Sequence, residues 1–439
     1  MPEAPSSAPD RRQAQEDRDY TLSGASRRSL GAGVMDHAAP QIDMRALRLY
    51  RLGRVQQELR RHDVDAILLV DPVLIRYATG IRNMQPWAMH SAIRTAFIPA
   101  EGKAIAFEYG GSEHLAAGLE TVAEARTAIY RFARGDFGAN AAQQEMTRRW
   151  AQTMRDLLPK RHGGRPRLAI DRHLDYFAGL ALADAGVEVV SGARMMSHAQ
   201  SVKSAEEIAC ISAAMAVADA ALFRMRTAIE PGRTEIDLWA ILEQTNVEMG
   251  GEYMDTRLLS SGARTNPWYQ EATERRVRPG EMISIDTDMI GPFGYDADIS
   301  RSFLCPPNRA TGEQRRLYRM AWDQLHHNLD LVKPGASFRA MSDNAFPVPE
   351  EFRANTISMT WHGVGLYGQW PTIVARGHFA TGAEDGEVVP GMVLCCESYI
   401  GRAGGLEGVK LEQQVLVTDT GYELLSTFPF EDTLLGREI

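Results

Sequence analysis

IDTDMIGPFGYDADISRSF, residues 285–303, carries Asp286, Asp288 and Asp298 on short apolar runs either side of a Gly-Pro-Phe-Gly turn at 291–294. Residues i and i+2 of a strand share a face. The spacing therefore predicts that Asp286 and Asp288 point the same way and that the turn folds Asp298 back toward them. Three converging carboxylates repel one another unless a cation lies between them. Taken alone, the stretch is equally a solvated acidic hairpin, because buried carboxylates need a partner. The rest of the chain shifts that balance.

Three further pieces join it. WHGVGLYGQWP (361–371) places His362 at the end of an apolar run, before glycines that allow close backbone approach. MVLCCESYIG (392–401) puts Glu397 in a strand, and GVKLEQQVLVT (408–418) puts Glu412 in the next, so the two face each other across a hairpin. Each residue by itself has an ordinary structural reading. Together, several carboxylates and one imidazole on apolar strands need cations to be stable. The oxygen-rich set with one histidine suits two divalent ions such as Mn, Fe, Co or Zn, and does not suit a thiolate structural zinc site.

Around this core the chain divides in two. Its 439 residues exceed one ordinary core. Residues 1–43 lack apolar periodicity and read as a mobile tail. Residues 44–200 alternate helical and strand patterns, which predicts an α/β domain without a phosphate-binding glycine loop. Residues 201–439 open with a capping box, Ser204 and Glu207, before a long Ala-rich helix, and continue as helices on an antiparallel sheet. The fold class is therefore α+β overall.

Composition narrows the function. Lys and Arg number 48 against 57 Asp and Glu, a net charge of −9, with no basic cluster for nucleic acid. No apolar run reads as a membrane span, and no secretory leader is evident. Cys210, Cys305, Cys395 and Cys396 lack CxxC spacing and read as reduced thiols of a cytoplasmic protein. Adjacent Cys395 and Cys396 point to opposite faces if they lie in a strand.

The order Asp…Asp-Ile-Ser-Arg, His-Gly-Val-Gly, strand Glu, then Lys-Leu-Glu-Gln-Gln-Val-Leu-Val-Thr resembles the pita-bread superfamily of methionine aminopeptidase, aminopeptidase P, prolidase and creatinase. The resemblance covers residues from about 201 to the C-terminus, and the first domain is similar to the creatinase and prolidase N-terminal domain. IDTDMIGPFGY, CCESYIG and EGVKLEQQVLVT look most like the bacterial dimethylsulfoniopropionate lyases of the DddP type. Those enzymes cleave a sulfonium zwitterion to acrylate and dimethyl sulfide. The resemblance implies that Asp286, Asp288, Asp298, His362, Glu397 and Glu412 hold two divalent metal ions, with iron favoured. It also implies a homodimer in which one chain's first domain rims the other's site.

Two departures stand out. The peptidases carry a further His shortly after the HGVG-type motif, where this chain has Leu366 to Trp370. The lyases carry an Asp base six residues after the ligand His, where this chain has Gly368. Tyr367 and His378 are the candidate catalytic residues in its place, with metal-activated water as a third option. Aromatic faces favour a sulfonium or quaternary ammonium. Trp268, Tyr269 and Trp370 are candidates for binding a small zwitterionic substrate, with Trp87 and His90 at the rim. The reading is a metal-dependent lyase, with a hydrolase of a small amide or peptide as the alternative and a non-catalytic binding protein last.

Overall fold

The computed structural model describes residues 42–90, 93–128, 140–160, 164–172, 174–307, 309–379 and 383–437. The tail expected over residues 1–43 lies almost wholly outside them. The chain divides into two compact units, passing from the first to the second between Gln200 and Ser201.

The first unit is built on a six-stranded mixed sheet of β1 (Ala66–Leu69), β2 (Thr95–Pro99), β3 (Ala104–Glu108), β4 (Val122–Thr127), β5 (Arg167–Ile170) and β6 (Glu188–Ser191), in the order β4-β3-β2-β1-β5-β6. β1 is buried along its length, as its run of Ala, Ile and Leu demands. It pairs antiparallel with β2 and parallel with β5. Helices α1 (Met44–Arg61), α2 (Pro72–Thr79), α3 (Gln85–Ala88), α4 (Ala141–Leu157) and α5 (Tyr176–Asp184) belong to it, and a further helix, Ala193–Ser201, follows β6. β1 stops at Leu69, and Asp71 caps α2. Its carboxylate accepts from Val73 N at 2.7 Å, and Pro72 supplies a ready-made first-turn φ.

The second unit opens with α6 (Ala205–Thr227), whose capping box pairs Ser204 with Glu207 as the sequence predicts. By length and composition α6 could cross a bilayer, contrary to the expectation that no such run exists. Here it is a core helix, with Cys210, Ala214, Ala218 and Leu222 fully buried. A second capping box, Thr234 with Asp237, starts α7 (Glu235–Glu248).

Three antiparallel sheets follow. β7 (Tyr253–Met254), β10 (Met289–Ile290) and β11 (Asp296–Ala297) form one, in the order β11-β10-β7. β8 (Leu259–Ser261), β9 (Met282–Asp286) and β12 (Ser300–Leu304) form another, in the order β12-β9-β8. The largest has β13 (Met359–Val364), β14 (Gly368–Val374), β15 (Val393–Gly401), β16 (Gly408–Val417) and β17 (Tyr422–Leu424), in the order β14-β13-β15-β16-β17. Helices α8 (Gly312–Leu329) and α9 (Phe338–Asn344) lie on the core side of this large sheet. Ser398 Oγ donates to Ala321 O of α8 at 2.9 Å, and Cys396 Sγ reaches Leu325 O at 3.9 Å. Trp361, Leu394 and Leu411 fill the apolar layer between. Strand alternation then turns Cys395 and Glu397 to the opposite face.

The two runs of residues 285–303 do not make the simple hairpin that the sequence suggests. β9 ends at Asp286 and pairs with β12, Asp286 opposite Ser300, while β10 and β11 belong to a different sheet. Asp288 falls between the sheets, outside any strand, at φ 35°. Its direction is set by that turn and not by strand periodicity.

Candidate metal centre

β9, β12, β13, β15 and β16 converge on one buried cluster. Cross-strand register places Glu397 opposite Glu412 and His362 opposite Cys395. His362 Nε2 lies 3.3 Å from Asp298, 3.4 Å from Glu397 and 3.6 Å from Glu412. Its Nδ1 is 3.1 Å from the Gly363 carbonyl, which can only accept. The Nδ1 proton is thereby held on the backbone side, and Nε2 is turned toward the carboxylates. Carboxylate oxygens of Asp286, Asp288 and Asp298 lie within 4.8 Å of one another. Ser300 Oγ sits 2.7 Å from both Asp286 Oδ1 and Glu412 Oε2. Arg301, fully buried, donates to the Glu412 carbonyl at 2.7 Å and to the Phe428 carbonyl at 2.7 Å, tying β12 to β16.

Three members of the cluster escape the sequence reading. Lys410 is 2.6 Å from Glu397, 3.0 Å from Glu412 and 3.1 Å from Asp286, and almost fully buried. Asp296 is buried, and its Oδ1 has no hydrogen-bond partner. Cys395 Sγ donates to the Asp298 carbonyl at 3.4 Å. Period two could have found two of them, since Lys410 stands two residues from Glu412 within β16 and Cys395 two from Glu397 within β15. Asp298 lies between β11 and β12, so the rule does not reach Asp296.

The electrostatics are those of a cation site. Burial raises the pKa of Asp286, against the pull of Lys410. Burial, then Asp286, pushes Asp288 to about 8, although the Thr256 hydroxyl donates to its carboxylate. Burial lifts Asp298 and Asp296 well above the usual range, helped by Glu412 at the first and by Asp288 and Asp255 at the second. Against the cost of burial, Lys410 and His362 hold Glu397 and Glu412 below their ordinary values. Burial disfavours the charged His362 and Lys410, yet the surrounding carboxylates raise both well above normal.

Whether these residues fit a metal turns on the atoms left over. Asp298 Oδ1 and Glu412 Oε1 are buried with no hydrogen-bond partner. Such atoms are costly unless something binds them. With Nε2 of His362 facing the same space, the donor set suits hard or borderline divalent ions.

The remaining candidates separate. Trp268 is buried, 6.1 Å from Tyr399 by ring centroid, and Lys410 Nζ lies 5.8 Å from its own ring. Tyr269 is 67 % exposed. Partial desolvation, then the Glu397 carboxylate, raises its hydroxyl pKa, so it borders the cluster. Tyr367 is half-buried in the turn between β13 and β14, and Asp296 N donates to the Gly365 carbonyl of that turn at 2.8 Å. Gly368 stands beside His362, and a Cβ there would meet only Nδ1 at 3.7 Å and Cε1 at 3.8 Å.

Trp370 and His378 are not brought to the cluster. Trp370 packs edge-on against Phe338 of α9, 5.5 Å between centroids, because its strand side faces the helices. His378 lines a different cavity with Gln324, Asn328, Arg353 and Arg376, because its turn leaves the far end of β14. Trp87 and His90 lie in the first unit. Trp87 is 43 % exposed and leans on Tyr109 at 5.5 Å, in the short helix α3. His90 is exposed just beyond it.

Comparison with known proteins agrees with this architecture. Residues 209–419 match metallopeptidase family M24, and residues 51–198 match the Creatinase/Prolidase N-terminal domain. The chain is 35% identical over 403 residues to the dimethylsulfoniopropionate lyase DddP of Roseovarius nubinhibens, covering 90% of this chain and 89% of that protein. It is 28% identical over 233 residues to the Xaa-Pro dipeptidase of Pyrococcus furiosus, covering 51% of this chain and 63% of that one. The solved prolidase from P. furiosus superposes with TM-score 0.66 at 19% identity, covering 85% of this chain and 99% of its own. Dipeptidase PepE from Mycobacterium ulcerans gives TM-score 0.69 at 20% identity, covering 88% and 98%. From these matches and the cluster of acids around His362, the chain belongs to the dinuclear metal enzymes of metallopeptidase family M24, the pita-bread superfamily.

Proposed function

We propose that the protein is a metal-dependent lyase that cleaves dimethylsulfoniopropionate, or a closely similar small zwitterion, to acrylate and a neutral leaving group. The observation that carries this is the 35% identity to the Roseovarius lyase across nearly the whole of both chains, with the buried acidic cluster inside the matched region. Asp286, Asp288, Asp298, His362, Glu397 and Glu412 are assigned as the residues that hold two divalent ions. When bound, the ions would supply Lewis acidity to the substrate carboxylate and ease loss of the neighbouring carbon-bound proton.

This chain's own residues do the rest. Lys410 balances the acids and keeps Glu397 and Glu412 ionised. His362 holds its orientation through Gly363. Trp268 and Tyr269, beside the cluster, would receive the cationic end of the substrate. Tyr367 is assigned as the group that takes the proton, since Gly368 cannot and His378 lies elsewhere. The test is incubation of the metal-loaded protein with dimethylsulfoniopropionate and, separately, with a dipeptide panel. Acrylate together with dimethyl sulfide supports the lyase. Peptide cleavage alone would favour the second reading, a small-peptide hydrolase, which the likeness to the Pyrococcus dipeptidase keeps in view.

A homodimer in the cytoplasm completes the proposal. Four buried cysteines support the location, and exposed Trp87 and His90 suit a rim against a second copy. Light scattering that returned a monomer near 49 kDa would end the dimer assignment.

A further inference from the structure

We propose that Cys395 is a sulfur ligand of the cation position formed by Asp298, His362 and Glu412, so that this position favours Fe2+, Co2+ or Zn2+ over Mn2+. The inference rests on the metal-site reading above and adds to it a donor of a different chemical kind. One ligand atom from each of the four residues lies within 4.8 Å of the other three, and all four residues are buried.

The strand register makes the placement specific. On β15, Cys395 stands opposite His362 of β13 on one side and Gln414 of β16 on the other. It shares a strand face with Glu397, whose carboxylate meets His362 at 3.4 Å. Cys396 goes the other way, to the α8 side, with its Sγ 3.9 Å from the Leu325 carbonyl. Of two adjacent thiols, the fold turns one to the acids and one to the apolar core.

A second observation points to a ligand in the space that Cys395 faces. Asp298 Oδ1 has no hydrogen-bond partner, and Glu412 Oε1 has none either, with only His362 Nε2 near it at 3.6 Å, on side chains only 4% and 0% exposed. The S–H of Cys395 is used by the Asp298 carbonyl at 3.4 Å, which leaves the sulfur lone pairs unused. Thiolate, imidazole and two carboxylates make a mixed set. Sulfur shifts such a set toward borderline metals, whereas oxygen alone suits Mn2+ equally well. On coordination the sulfur binds as thiolate, and its proton leaves to solvent.

Cobalt is the probe. The protein is stripped of metal and loaded with Co2+. Bound cobalt is counted by elemental analysis, and the near-ultraviolet spectrum is recorded. The expected result is a thiolate-to-cobalt charge-transfer band in the wild type. The band should be lost in Cys395→Ser with cobalt still bound, and kept in Cys396→Ser. Cys395→Ser should also lower Zn2+ affinity relative to Mn2+ by on the order of 10–100-fold, the scale seen when a group supporting a metal site is removed. Stoichiometric cobalt with no such band in the wild type overturns the sulfur ligand and leaves the metal site standing. A band that survives in Cys395→Ser overturns it as well. No cobalt bound at all overturns both readings. The wild-type spectrum decides even if a variant fails to fold.

Discussion

Removal of the Lys410 ammonium is the most direct probe of the centre. The side chain is 2% exposed and sits 2.6 Å from Glu397, 3.0 Å from Glu412 and 3.1 Å from Asp286. At these separations each charge pair is worth about 5–6 kcal/mol for an effective dielectric near 20, before desolvation is subtracted. Breaking a buried ion pair by removing one partner costs ~3–5 kcal/mol, because the other charge is left uncompensated. Lys410→Met keeps the length of the side chain and deletes only the charge. In metal-free protein it should destabilise the second unit by that amount. With a melting shift of ~2–4 °C per kcal/mol for a unit of this size, the drop is roughly 6–20 °C. The assay is thermal unfolding of chelator-treated protein, repeated after addition of Mn2+ or Co2+. A divalent ion supplies the missing positive charge, so the metal-induced gain should be larger in Lys410→Met than in the wild type. Lys410→Arg should fall between the two. A metal-free Lys410→Met protein melting within about 2 °C of the wild type, a shift equivalent to no more than ~1 kcal/mol, would refute the claim that these acids depend on Lys410.

Other outcomes follow from the same geometry. Asp298→Ala and Glu412→Ala each remove a buried carboxylate with an oxygen that makes no hydrogen bond, and should lower bound metal and activity by orders of magnitude; full metal content in both would remove these residues from the ligand set. Metal-free protein should lose stability as pH rises. Asp288 goes from 3.8 to about 8, so its contribution is whole below about pH 4 and fades toward pH 8; Asp286 and Asp298 are raised in the same direction, and His362, raised above its ordinary 6.5, keeps its contribution up to that pH and loses it only above. Glu397 and Glu412 are lowered and act in the opposite sense, but only below their ordinary pKa of 4.5. Denaturant midpoints of chelated protein that rise from pH 5 to pH 8 would contradict this sign. Gly368→Asp places a carboxylate beside His362 with ordinary contacts at its Cβ; if Tyr367 does not take the proton, this group supplies the missing base, and acrylate release should rise within the ~10²–10⁴-fold range of general-base catalysis. If Tyr367 already serves, Tyr367→Phe abolishes turnover and Gly368→Asp brings no gain; turnover that neither change alters would exclude both residues as the base.

Much of the molecule is written locally. The capping boxes at Ser204 and Thr234 mark the starts of their helices with nearest-neighbour chemistry alone. Glu397 and Glu412 face each other because a Val-, Leu- and Ile-rich pair of runs forms a regular antiparallel ladder. Alternation along that ladder also separates Cys395 from Cys396, as period two requires. The order of acids and the lone histidine was enough to point to a metal and to the family that the comparisons identify.

What the sequence could not settle depended on contacts between distant residues. Asp288 reaches the cluster through a left-handed backbone turn between two sheets, where strand periodicity carries no information. Lys410 is quoted easily from its motif, but its role as counter-charge needs Asp286 and Glu397 brought to it from other strands. Trp370 and His378 lie close in sequence to His362, yet β14 turns the first to α9 and its far end carries the second to another cavity. Motif order is a property of the chain, and which side chains share a buried volume is a property of how sheets stack. Only the tertiary structure separates neighbours in sequence from neighbours in charge.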